Sequence, residues 1–151
     1  MLIKNYELKF SFEISDDYNE IKSTSYSAFE VAPNTLNYFV QLDDSGEISK
    51  VFSICKDKVC NNEEEIFAVI DNNVSLLKNA GFDLVEHNEF ETHLGRRIYR
   101  RVFLDETQEH AFVTYFTLVH NTLIASTVEL LDSYDEFEEE LYAVFVTIKE
   151  F

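Results

Sequence analysis

Tyr6-Glu7-Leu8-Lys9-Phe10-Ser11-Phe12-Glu13-Ile14 alternates apolar and polar residues without a break. Successive side chains of a strand point to opposite faces, so this period of two predicts one strand over residues 6–14, oily on one face and wet on the other. Ser15-Asp16-Asp17 follows as a turn, because these side chains bond their own backbone. Tyr18 and Ile21 are expected to pack locally beyond it.

The same pattern recurs along the chain. Residues 26–31 predict a weaker second strand ending near Pro33. Residues 36–42 predict a third, with Leu36, Tyr38, Val40 and Leu42 on one side, and the turn Asp43-Asp44-Ser45-Gly46 leads into a fourth over 48–54. A helix then begins at Asn62, a good N-cap, with Glu63, Glu64 and Glu65 at the positive end of its dipole. Ile66, Ile70, Val74 and Leu77 recur at helical spacing, joined by Phe67 and Val69, and Gly81 marks the stop. Four strands follow, over 82–90, 95–104, 111–119 and 122–130, the last two joined by the tight turn His120-Asn121. Those two are apolar on both faces, which predicts a central position covered from both sides. Ser133 and Glu136 form a capping box for a final helix, whose apolar face is Phe137, Leu141, Val144, Phe145 and Ile148.

Strands, helix, meander, helix in this order predict an α+β fold. Its core is a largely antiparallel sheet of six to seven strands, packed with two main helices in a layered sandwich. The short connections forbid parallel crossovers. The length of 151 residues predicts one domain spanning 1–151.

The order and its punctuation resemble the PsbP-like fold, shared by the extrinsic P subunit of photosystem II, a Ran-binding nuclear import factor and several bacterial lipoproteins and chaperones. The residues that carry the resemblance are Phe10-Ser11-Phe12-Glu13-Ile14-Ser15-Asp16-Asp17-Tyr18, a strand followed by an aromatic after a turn; Asn79-Ala80-Gly81-Phe82 at the helix end; and Gly95 opening the next strand. Tyr18 stands where the family often carries Trp, and the lipoprotein cysteine near the N-terminus is absent. The resemblance implies a sheet between helical layers and binding roles without catalysis, and it assigns no functional residue.

Charge narrows the partners. With 29 carboxylates against 12 Lys and Arg, the net charge is −17. A phosphate backbone or an anionic membrane surface is repelled, whereas a basic protein is attracted over a distance. No leader segment or membrane span is read from the sequence, which predicts a cytoplasmic protein, monomeric or homodimeric. Cys55 and Cys60 are too few for a disulfide framework and read as reduced thiols.

Three clusters carry conceivable chemistry. His87, Glu89, Glu91 and His93 sit at period two, so a continuous strand lines them on one face. Imidazole and carboxylate ligate metals, and His87, Glu89 and His93 are the metal candidates. Alternate residues on a strand lie nearly 7 Å apart, about 3.3–3.4 Å per residue. Two neighbours can share an ion but four cannot converge, and a solvated face accounts for the same pattern.

Arg96, Arg97, Arg100 and Arg101 are all the arginines of the chain. Arg97, Tyr99 and Arg101 share one strand face and are the preferred ligand or partner contacts, because guanidinium groups bind carboxylate or phosphate in a fork. Pairing with Glu89 and Glu91 on the preceding strand explains the cluster without a ligand. The acidic run Asp132, Asp135, Glu136, Glu138, Glu139 and Glu140 lacks the ligand alternation of a calcium loop and reads as a solvated helix face. Asp44-Ser45-Gly46 has no second copy to complete a protease dyad.

No nucleophile elbow or phosphate-binding glycine loop is present, and no cofactor is implied. A Cys–His pair would have to form in space. The reading is a non-enzymatic binding domain that takes a protein segment or small ligand on its sheet or in a groove between sheet and helix. Tyr26 and Tyr38 join Tyr99 as aromatic contacts. A small hydrolase or metal-dependent enzyme, and a structural or assembly subunit, are the alternatives.

Overall fold

The computed structural model describes residues 1–107, 110–130 and 134–151, with the side chains of 134–136 outside that description. The chain runs β1 (Leu2–Asn5), β2 (Phe10–Glu13), β3 (Asn19–Glu20), a 3-10 helix (Ser23–Phe29), β4 (Thr35–Leu42), β5 (Ile48–Val59), α1 (Glu63–Asn79), β6 (Phe82–Glu91), β7 (Arg97–Asp105), β8 (Ala111–Val119), β9 (Thr122–Leu130), α2 (Tyr134–Val146) and β10 (Lys149–Glu150). Seven strands form an antiparallel sheet in the order β3-β4-β5-β9-β8-β7-β6, and β1-β2-β10 form a second, smaller one. The expected α+β sandwich, its antiparallel sheet and its two helices are all present.

The central position of β8 and β9 follows from their composition. On one face, Phe116 and Leu123 join Tyr99 of β7 under Ile66 and Ile70 of α1. On the other, Val113, Tyr115, Ile124 and Val128 meet Phe137, Leu141, Val144 and Phe145 of α2. Phe10 and Phe12 of the small sheet complete that second cluster and are fully buried. Each such side chain contributes about 1.5–3 kcal/mol by leaving water. The His120-Asn121 turn has positive φ at both residues, 46° and 65°, as a two-residue hairpin of this hand requires.

Four expectations are corrected. Residues 6–14 do not form one strand. The chain turns over residues 6–9, Lys9 takes φ 58°, and the Asn5 side-chain oxygen accepts the Leu8 N–H at 2.9 Å. The alternation runs on through this turn, but Tyr6 is 73% exposed and meets the Phe151 ring edge-on. Residues 26–31 fall in the 3-10 helix and its exit, where Tyr26 and Phe29 both pack on Tyr38. Strand β4 buries Asn37 and Phe39 as well as Val40, while Leu36 and Tyr38 are half-buried and Leu42 is exposed. Tyr18 packs at long range: it is buried, edge-on to Phe52, and donates to Glu140 of α2 at 2.8 Å. The box expected between Ser133 and Glu136 lies outside the described residues, as do Asp132 and the side chain of Asp135.

Helix α1 begins and ends as its sequence requires. The Asn62 side chain accepts the Glu65 N–H at 2.9 Å, and the Glu65 carboxylate accepts the Asn61 N–H at 2.6 Å. At the far end Gly81 takes φ 97°, which a Cβ disfavours even though the space around it is open. Asn62→Ala is expected to cost about 1 kcal/mol, and Gly81→Ala about 1–2 kcal/mol. Thermal denaturation checks both, at about 2–4 °C per kcal/mol for a chain of this size.

Candidate functional site

Helix α1 carries two stripes. Ile66 and Ile70 face the sheet and are buried, whereas Ala68, Asn72 and Leu76 look sideways and are exposed. Beside that second stripe runs the end of β5. Strand β4 pairs β5 no further than Cys55, and Lys56 makes the last bonds across, its N–H to the Asn34 carbonyl at 2.9 Å and its carbonyl accepting the Asn34 side-chain amide at 3.1 Å. Asp57–Val59 therefore have no β4 residue opposite them. A groove of about 490 Å³ lies between this segment and α1, and Val59 and Leu76, 63% and 61% exposed, are its open apolar surfaces. A smaller depression of about 210 Å³ adjoins it, sharing Asp57 and Asn73 and reaching the Thr114 and Thr127 hydroxyls.

The polar groups of the groove are the amides of Asn61, Asn72 and Asn73, the charged Asp57, Lys58 and Glu65, and the Cys60 thiol. Among the described residues, the buried Asn73 Oδ1 has no hydrogen-bond partner. The Asp57 carboxylate holds the Lys58 N–H at 2.9 Å, and the Cys60 thiol donates to the Lys58 carbonyl at 3.6 Å, so the free strand edge is guarded by its own side chains. Burial, with Glu65 and Asp57 adding to it, raises the Cys60 thiol above its ordinary range, which disfavours the nucleophilic thiolate. Cys55 meets the Thr35 hydroxyl at 3.7 Å. No histidine bonds either thiol among the described residues.

The sequence-derived candidates lie elsewhere. Arg97, Tyr99 and Arg101 do share one sheet face, but each is engaged within the fold. Arg97 Nε lies 3.5 Å from a Glu63 oxygen and its guanidinium sits 5.7 Å over the Tyr99 ring. Tyr99 is buried, edge-on to Phe67, and donates to Glu63 at 3.3 Å. Arg101 is buried too, bonding Glu89 at 3.0 Å and the Arg100 carbonyl at 2.8 Å. His87 and Glu89 lie on that face opposite Arg101 and Tyr99, but His93 lies past the strand in the turn before β7. Among the described residues no three His, Cys, Asp or Glu side chains come together to hold a metal.

Arg100 points to the other face. Its Nε and one terminal nitrogen reach both Glu138 oxygens at 2.7 and 2.8 Å, and the Tyr115 hydroxyl donates to the same carboxylate at 2.9 Å. Glu138 and Glu140 are thus clamps that fix α2 to the sheet, where a fully solvated helix face was expected. Sequence reasoning missed the groove residues. The only signal was the second stripe of α1, an exposed Leu76 in line with Ala68 and Asn72.

Comparison with solved structures follows the same architecture. The cyanobacterial PsbP of Synechocystis superposes with a TM-score of 0.70 at 10% identity, covering 100% of this chain and 92% of that one. The Ran-binding protein Mog1p of Saccharomyces cerevisiae gives 0.62 at 7% identity, covering 99% and 94%. The fold is PsbP-like. No family model matches the sequence, and no curated protein matches it. The PsbP-like fold thus persists here on an almost wholly different set of side chains.

The α2 clamp has a pH signature. Burial pushes the Glu138 carboxyl up, but the hydrogen bonds from Arg100 and Tyr115 and the guanidinium charge outweigh it and hold the group below the ordinary glutamate range. A depressed carboxyl stabilises the fold above its unfolded pKa, about 4.3, and that contribution is lost as pH falls through the folded value. Glu138→Gln is expected to lose about 1.5–3 kcal/mol at neutral pH, the worth of hydrogen bonds to a charged group. Denaturant titrations from pH 7 downward should show the gap between variant and wild type shrinking below the ordinary glutamate pKa.

Proposed function

We propose that this chain is a non-enzymatic binding domain that receives an extended protein segment in the groove between α1 and the end of β5. The observation that carries this reading is the end of β5 at Asp57–Val59, which has no β4 residue opposite it and lies beside the exposed apolar Val59, Ala68 and Leu76. Asn61 and Asn72, both exposed, offer the amide donors and acceptors that match a peptide backbone, while Val59, Ala68 and Leu76 offer apolar surface to its side chains. The uncovered edge at Asp57–Val59 supports strand-like addition, with Asp57 yielding the Lys58 N–H to the incoming chain. A volume of about 490 Å³ lies within the roughly 300–1,000 Å³ of ligand sites.

The net charge of −17 supports a basic partner, steered by the acidic surface. Mog1p, of the same fold, is a Ran-binding protein, which supports protein recognition as the kind of task. The free thiols Cys55 and Cys60 support a reducing compartment, the cytoplasm, as the place of action. Among the described residues no helix is long and apolar enough to cross a membrane. Arg97 of β7, beside Glu63 at the start of α1 and away from the groove, is a second contact within this reading, since 48% of its side chain is exposed.

Peptides selected from a random display library against the intact chain are the test. Their amide shift changes are expected to centre on residues 57–61 and 65–76. Ala68→Trp, at an exposed position that fills the groove, should abolish them without loss of stability. Asn73→Leu should raise stability by up to about 1 kcal/mol, since an unpaired buried acceptor is removed. Selected peptides that map elsewhere and ignore Ala68→Trp would refute the reading.

A further inference from the structure

A second pocket lies on the opposite side of the sheet from α1. It opens between the turn after β2 and helix α2, holds about 280 Å³, and has Ile14, Tyr18, Phe52 and Val144 as its apolar surface. That volume falls below the roughly 300–1,000 Å³ of cofactor and drug-sized ligands. It matches one large side chain.

The rim is acidic. Glu13 and Glu140 both stand at the mouth. The Glu140 carboxylate is held in place, accepting the Tyr18 hydroxyl at 2.8 Å and lying 3.3 Å from Lys50 Nζ. Lys50 in turn sits 5.2 Å over the Phe137 ring, so it is anchored on the helix. Glu13 is exposed, and no cation pairs with it among the described residues. The turn between Ser15 and Tyr18 adds Asp16 and Asp17, both exposed, of which Asp16 meets the N-terminal ammonium at 3.1 Å. An apolar socket ringed by carboxylates selects for an apolar group with positive charge beside it. A second copy of this chain is a poor occupant, because it brings another −17 to an already acidic surface.

We propose that this pocket anchors one large apolar side chain of a protein segment that carries lysine or arginine next to that side chain. The site is separate from the groove beside α1 and stands without it. The anchor fills the space over Phe52 and Val144, and the flanking cations reach Glu13 and the outer edge of Glu140. Most of the binding energy comes from the anchor, and the choice of partner from the rim.

Three capped pentapeptides test this, with Lys-Phe-Lys, Lys-Ala-Lys or Glu-Phe-Glu between glycines, titrated to millimolar concentration into the isotopically labelled full chain. The Lys-Phe-Lys peptide is expected to shift the amides of Ile14, Ala143, Val144 and Thr147, with the other two about tenfold weaker or silent. Ala143→Arg, at an exposed position on α2, should erase the response by covering the mouth, while Ala143→Ser, a control for fold, should keep it. Glu13→Gln with Glu140→Gln should leave phenylalanine binding but remove the preference for Lys over Glu. No shift at those amides, an equal response to Glu-Phe-Glu, or a response that survives Ala143→Arg would overturn the proposal.

Discussion

Tyr115 and Phe116 are neighbours on β8 and point to opposite sides of the sheet, and both are buried. A strand with large rings on both faces cannot lie against water on either, so something must cover each side. Helix α1 takes the Phe116 side. Helix α2 and the small β1-β2-β10 sheet take the Tyr115 side, where the rings of Tyr115 and Phe145 meet edge to face at 5.4 Å. The layered sandwich is the consequence of that one constraint. The arginines of β7 serve it: Arg97 ties the sheet to the start of α1 through Glu63, and Arg100 ties it to α2 through Glu138.

The groove is what this covering leaves over. One helix of seventeen residues cannot roof a sheet of seven strands. It lies over Tyr99, Phe116 and Leu123, and the end of β5 is left beside it uncovered. That margin holds Asn73, whose buried side-chain acceptor has no partner among the described residues. On the other face the uncovered margin is the pocket around Tyr18, where an aromatic hydroxyl and Lys50 hold one carboxylate at the mouth. Both margins sit where a covering layer stops.

Much of this was legible in the residues. Asn62 followed by three glutamates located the start of α1, His120-Asn121 located the tight turn, and the two-faced strands β8 and β9 located the centre of the sheet. The small sheet was less legible because its turn contains no Gly or Pro: Tyr6–Lys9 keeps the alternation of a strand, while Asn5 and the positive φ of Lys9 reverse the chain. Strand β10 has two residues, too few for any pattern. The arginine cluster stood out by composition, yet the roles of Arg97 and Arg100 depend on Glu63 and Glu138, which only the fold brings near. The groove was harder still, since an uncovered helix flank and a solvated one share the same residue types.

Native-state hydrogen exchange of the free chain tests the central constraint most directly. If burial on both faces of β8 and β9 organises the molecule, their amides exchange last, at the rate set by global unfolding, while those of Asp57–Val59 exchange by local opening. A slowest-exchanging set in the β1-β2-β10 sheet, with β8 and β9 opening before it, would contradict it.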